Sequence, residues 1–113
     1  MKIVDGNKEC SSVAYLLSEI CSIYPITPSS PMAENIDYLT HTDKKNIFND
    51  KPTVVEMESE LGAAGALHGA LLSGSLSSNY TASQGLLLMI PNLYKMPRSL
   101  SFSSMPLMRQ MYW

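Results

Sequence analysis

Three prolines in seven residues, Pro25, Pro28 and Pro31, constrain this chain more than any other feature. Each ring fixes φ and removes an amide hydrogen, so nothing between Pro25 and Pro31 can be a helix interior or a central strand. The chain must enter this stretch from one element and leave it as another. Before it, Cys21 to Ile26 is short, apolar and partly β-branched, and reads as a strand that Pro25 brings to its end. After it, Ser30 stands as an N-cap with Pro31 at the first helical position, which predicts a helix over Pro31 to Leu39. A strand running into a hydroxyl-rich turn and then a helix is a natural carrier of function.

The same alternation continues on both sides. Asn7 is placed to cap a first helix over Lys8 to Glu19, with Cys10, Val13, Leu16, Leu17 and Ile20 forming its apolar stripe. The polar segment His41 to Lys51 reads as a surface connection with a short strand at Ile47 and Phe48. Thr53 to Val55 is a second main strand, and Ser59 caps a helix running through Leu61, Ala64, Leu67, His68, Leu71 and Leu72 to Gly74. Gly62, Gly65 and Gly69 each cost that helix roughly 1 kcal/mol relative to alanine, which predicts close approach to a backbone or ligand. Ser77 to Thr81 makes a third strand, and Gln84 to Lys95 a last helix kinked or ended by Pro91. Strands alternating with helices define an α/β fold: a partial open parallel sheet, doubly wound and flanked by helices.

Bulk properties narrow the function classes. With 45% hydrophobic and 16% charged residues, 113 residues suffice for one small globular core. A formal charge of -2, without a basic patch, argues against a nucleic-acid partner. Cys10 and Cys21 are too few for an iron–sulfur cluster and read as ordinary buried thiols of a cytoplasmic protein. The N-terminus turns polar after Lys2, unlike a signal peptide, and the apolar run Leu86 to Ile90 is far short of a membrane span.

Candidate chemistry is sparse. A Walker loop, a paired-cysteine motif and a nucleophilic triad are all missing from the sequence. His41 and His68 are isolated, a loop residue and a helix-packing residue. Ser29 and Ser30 could hold an anion at a helix N-terminus, but a structural cap explains them as well. Glu56, Glu58 and Glu60 alternate where a strand passes into a Gly/Ala-rich helix, and the residues alone fit an acidic first turn.

Taken together, Ile23-Tyr24-Pro25-Ile26-Thr27-Pro28-Ser29-Ser30-Pro31, Val55-Glu56-Met57-Glu58-Ser59-Glu60-Leu61-Gly62-Ala63-Ala64-Gly65 and Thr81-Ala82-Ser83-Gln84-Gly85 continuing to Lys95 resemble the N-terminal, pyrimidine-binding domain of the pyruvate:ferredoxin (flavodoxin) oxidoreductases. The resemblance implies a thiamine-diphosphate enzyme that converts pyruvate to acetyl-CoA and passes electrons to ferredoxin or flavodoxin. It makes Glu60 the catalytic, cofactor-binding carboxyl. Bound to the aminopyrimidine N1′, such a group favours the imino tautomer that takes a proton from the thiazolium carbon. It likewise implies that Thr27 orients the pyruvate carboxylate and that Pro25 lies at the adjoining cofactor-facing turn. Glu58 stands where the family usually has glutamine and Leu61 where it has alanine, so a second acid and a bulkier side chain flank the proposed relay.

The resemblance covers residues 1–95 and implies that other parts of a larger enzyme carry the diphosphate and magnesium site, the coenzyme A contacts and the iron–sulfur clusters. No metal ligand is assigned here, missing domains or subunits are implied as partners, and the complete enzyme is expected to be a homo-oligomer. Residues 96–113, with four of the eight methionines, lose the pattern and are expected to be irregular, the product of a frameshift or truncation. Three alternatives stay open: a non-catalytic docking subunit with a Met-rich contact segment, an inert remnant, or another 2-oxoacid:ferredoxin oxidoreductase.

Overall fold

The computed structural model describes residues 3–96. Its frame is three short parallel strands, β1 (Ile20–Ile23), β2 (Thr53–Glu56) and β3 (Ser77–Tyr80), in the order β2-β1-β3. In register, Ile20 faces Thr53 on one side and Ser77 on the other, and Ile23 faces Glu56 and Tyr80. Four helices flank the sheet: α1 (Gly6–Leu17), α2 (Ser30–Thr40), α3 (Glu60–Leu72) and α4 (Gln84–Leu93). The crossover through α2 runs one way along the sheet and that through α3 runs back past β1. A common hand for both requires the helices to lie on opposite faces, and they do: α2 packs with α1, whereas α3 packs with α4. The α/β fold with an open parallel sheet is therefore as the sequence predicts.

The period-two alternation of β1 and β3 sorts side chains between these faces. Cys21, Ile23 and Tyr80 join Tyr15, Met32, Ala33 and Ile36 in the core under α1 and α2. Toward α3 the sheet presents small polar groups instead. Ser22 Oγ donates to the Ala63 carbonyl at 3.0 Å, and Asn79 Nδ2 donates to the Ser22 carbonyl at 2.6 Å. Above them Ala63, Ala64, Leu67, Leu71, Met89 and Met96 form the second core, with Tyr24, Met57 and Leu93 packed at its edge.

Several local expectations are corrected. Helix α1 is capped by Asp5, whose carboxylate accepts from the Asn7 amide at 3.1 Å, so it starts before Asn7. Its buried face is Ser11 and Tyr15, not the stripe through Cys10, Val13 and Leu17. Asn35 Nδ2 donates to Ser11 Oγ at 2.7 Å, and this short polar contact sets the α1–α2 approach that a hydrophobic period alone cannot reveal. Cys10 is consequently exposed, whereas Cys21 is buried. Helix α2 begins one residue early, with Ser29 as N-cap, and Ser29 Oγ bonds the Ile26 carbonyl instead of capping. No strand forms at Ile47 and Phe48; Asn46 organises a turn there, its Oδ1 accepting from the Phe48 and Asp50 amides and its Nδ2 donating to the Ser18 carbonyl. Gly74, at φ 89°, closes α3 as expected, but a side chain at Gly69 would meet nothing, and the structure gives no reason for that glycine.

Candidate functional site

Parallel strands place all their C-terminal ends at one edge of the sheet. The strand order here makes the gap between β1 and β3 the point where the chain reverses direction, and open α/β sheets bind ligands in the crevice outside such a point. The loop after β1 carries Pro25 and Thr27, the turn after β2 delivers Glu60, and the turn after β3 delivers Thr81 and Ser83. Each of the three residues singled out by the sequence thus lies at this edge.

Their environments differ. Glu56 and Glu58 are exposed, whereas Glu60 is only 8% exposed, so one of the three alternating carboxylates is taken out of water. Local geometry explains this. Ser59 adopts extended backbone and its Oγ accepts from the Gly62 amide at 3.0 Å, which starts α3 at Glu60 and turns that side chain inward. The Glu60 carboxyl forms no hydrogen bond or ion pair among the described residues. The residue is buried as a whole, yet neither carboxyl oxygen is among the buried polar atoms left without a partner, so the tip of the side chain reaches the surface at the sheet edge, where it is open to a ligand.

Glu60 rests against the first turn of α4. A Cβ built at Gly85 would stand 3.2 Å from Glu60 Cγ and 3.5 Å from Glu60 Oε1, and would collide with Thr81 Oγ1. Glycine is therefore required at 85 by close approach. Ser83, the N-cap of α4, takes φ 49°, an uncommon left-handed value for a side-chain-bearing residue, to bring Gly85 into that contact. Sequence reasoning gave no role to Thr81, Ser83 or Gly85. The usable signal was a glycine in the opening turn of a helix, where its propensity is poor.

Pro25 and Thr27 are both exposed, and the Thr27–Pro28 peptide is cis. Pro25 borders an open cleft of about 290 Å³ on the α2 side, lined also by Ile23, Ala33, Glu34, Asp37, Val54 and Glu56. Glu60 and Thr27 are not part of its wall. The fold thus brings Pro25, Thr27 and Glu60 to one edge, with Glu60 under α4 and Pro25 at the cleft on the opposite face. The unusual residues flanking Glu60 do not crowd it: Glu58 and Leu61 both face solvent.

A short open parallel sheet flanked by helices, with Glu60 opening a Gly/Ala-rich helix at the reversal point, defines an α/β domain of the kind that binds ligands at this edge. The family described as pyruvate flavodoxin/ferredoxin oxidoreductase, thiamine-diphosphate-binding, matches residues 12–103, and the chain belongs to that family. A pyruvate-flavodoxin oxidoreductase of Klebsiella pneumoniae is 57% identical over 95 residues, 84% of this chain and 8% of that protein. The pyruvate:ferredoxin oxidoreductase of Moorella thermoacetica is 59% identical over 92 residues, 81% of this chain and 8% of its own. A pyruvate-flavodoxin oxidoreductase of Nostoc sp. (strain ATCC 29151 / PCC 7119) is 56% identical over 98 residues, 87% of this chain and 24% of its own. The chain therefore spans a small share of the length of these relatives.

Proposed function

We propose that residues 1–95 supply the aminopyrimidine side of a thiamine-diphosphate site in a pyruvate:ferredoxin or pyruvate:flavodoxin oxidoreductase. The observation that carries this reading is Glu60, a largely buried residue at the sheet's reversal point whose carboxyl has no hydrogen-bond or ion-pair partner among the described residues. When bound, thiamine diphosphate supplies a nucleophilic carbon for the 2-oxo group and a sink for the electron pair left as carbon dioxide departs. Glu60 holds and moves the proton at its carboxyl oxygens against the ring nitrogen. Thr27, exposed on the β1 loop, offers a neutral hydroxyl that orients the substrate carboxylate without adding charge. Pro25 stiffens the same loop beside it.

In the complete enzyme the diphosphate, magnesium, coenzyme A and iron–sulfur clusters are held by other parts, electrons leave to ferredoxin or flavodoxin, and the assembly is a homo-oligomer in the cytoplasm. Among the described residues no helix is long and apolar enough to cross a membrane. Residues 96–113 form a divergent tail; all but Met96 lie outside the described residues, and Met96 itself is buried in the second core. Glu60→Gln in the complete enzyme tests the proposal, because it keeps the shape and removes the ionisable proton. Pyruvate decarboxylation should fall by about 100-fold or more. Activity within a few-fold of the parent would sink the assignment.

A further inference from the structure

Beside Glu60 stands a second polar group that the reading above leaves unused. Thr81 Oγ1 is fully buried and has no hydrogen-bond partner among the described residues. A threonine hydroxyl just after a strand can bond the backbone of the following turn, but here it does not, and two amides of that turn bond carbonyls instead: Gly85 donates to the Ala82 carbonyl at 3.0 Å and Leu86 to the Ser83 carbonyl at 3.2 Å. Leaving such a hydroxyl unpaired costs folding free energy. The alternation of β3 sets Ser77, Asn79 and Thr81 in one row facing α3. Thr81 Oγ1 and Glu60 Oε1 then abut the same vacant position on Gly85, where a Cβ would collide with the first and stand 3.5 Å from the second.

We infer that Thr81 is a positioning residue for Glu60: its hydroxyl donates to one carboxylate oxygen, so that the other is presented to the ligand. A rotation about the Glu60 side chain closes the remaining gap, and the bare Cα of Gly85 leaves room for it. The bond gives a partner to the buried Thr81 hydroxyl and to the Glu60 carboxylate, which otherwise have none among the described residues. It also gives the Gly85 and Ser83 backbone a purpose, because any side chain at 85 would part the pair. The inference deepens the proposed role of Glu60 and rests on it for its catalytic meaning, but not for the contact itself.

The contact is testable in the 113-residue chain without cofactor. The glutamates are labelled with ¹³C at Cδ, the Glu60 signal is assigned by its loss in Glu60→Gln, and its pH midpoint is followed in three proteins. A hydroxyl donated to the ionised carboxylate favours that form, so Thr81→Val should move the midpoint upward by about half a pH unit or more, and Thr81→Ser should return it to the parent value. If Thr81→Val does not fold, Thr81→Ala carries the same comparison. An unmoved midpoint in the variant lacking the hydroxyl overturns the inference, as does a serine variant that shifts as far as valine. Decarboxylation by Glu60→Gln fails or succeeds independently of this titration, so the two proposals are judged separately.

Discussion

The two faces of the sheet are built by opposite rules. Under α1 and α2, Cys21, Ile23 and Tyr80 meet Tyr15, Met32 and Ile36 in an apolar core whose polar atoms are matched; the Tyr15 hydroxyl donates to the Lys44 carbonyl at 2.8 Å and lies 3.3 Å from that of Leu39. Under α3 and α4 the sheet offers Ser22, Ser77 and Asn79, and the buried side-chain atoms left without partners among the described residues, Asn79 Oδ1 and Thr81 Oγ1, both lie on this side. Burial without pairing costs stability. These costs fall on one face, beside Glu60, and the other face holds the better-satisfied core, a contrast that fits the proposed use of the first face for a ligand.

Substitutions that exchange the two rules should break the contrast most. Ile36, fully buried beneath α2, touches nothing in the proposed site. Ile36→Ala should lower the unfolding free energy by about 2–5 kcal/mol, through lost burial and the cavity left behind. Urea unfolding of the 113-residue chain reads this, and a loss below 1 kcal/mol would mean that the α1/α2 core is not the stabilising one. Gly85→Ala sits on the other face and should cost less, about 1–3 kcal/mol, by forcing Thr81 and Glu60 apart. If this variant matches the parent in urea, the close approach of α4 to Glu60 is wrong.

A smaller effect follows from pH. Burial pushes the Cys21 thiol above its ordinary value of 9.0 and the Tyr80 phenol above 10.0, partly opposed by hydrogen bonds from Ser78. Both groups are neutral in the folded chain while the unfolded chain ionises first. Their contribution is therefore full below about pH 9 and is lost as pH rises through 9 and then 10. The urea midpoint should hold from pH 7 to 8.5 and decline from pH 9 to 10.5; a flat profile would contradict the burial of this core. Least in energy but sharpest in contrast is thiol labelling. Cys10 is exposed and Cys21 buried, so iodoacetamide should modify Cys10 quickly and Cys21 only on unfolding.

Which parts of this were legible in the sequence follows the same division. Proline spacing, the cap at Ser59 and the stop at Gly74 are local signals, and the strand–helix alternation they punctuate survives in the structure almost residue for residue. The face of α1 was misread because Ser11 packs through a hydrogen bond to Asn35, which no hydrophobic period reports. Three alternating glutamates could not be ranked by residue type. The Ser59 cap turns Glu60 inward and the tertiary placement of α4, through Ser83 and Gly85, covers it, leaving Glu56 and Glu58 in water. The proposed link to Thr81 was hidden for the same reason, since that residue is twenty-one positions away along the chain.

The most direct test of the division between the faces is to make Glu56→Gln, Glu58→Gln and Glu60→Gln in the complete enzyme and measure pyruvate decarboxylation and the urea midpoint for each. The account predicts that Glu60→Gln alone loses nearly all activity, while its midpoint is unchanged because the carboxyl makes no hydrogen bond or ion pair among the described residues. Equal activity in the three variants, or a Glu60→Gln protein that loses activity only by unfolding, would contradict it.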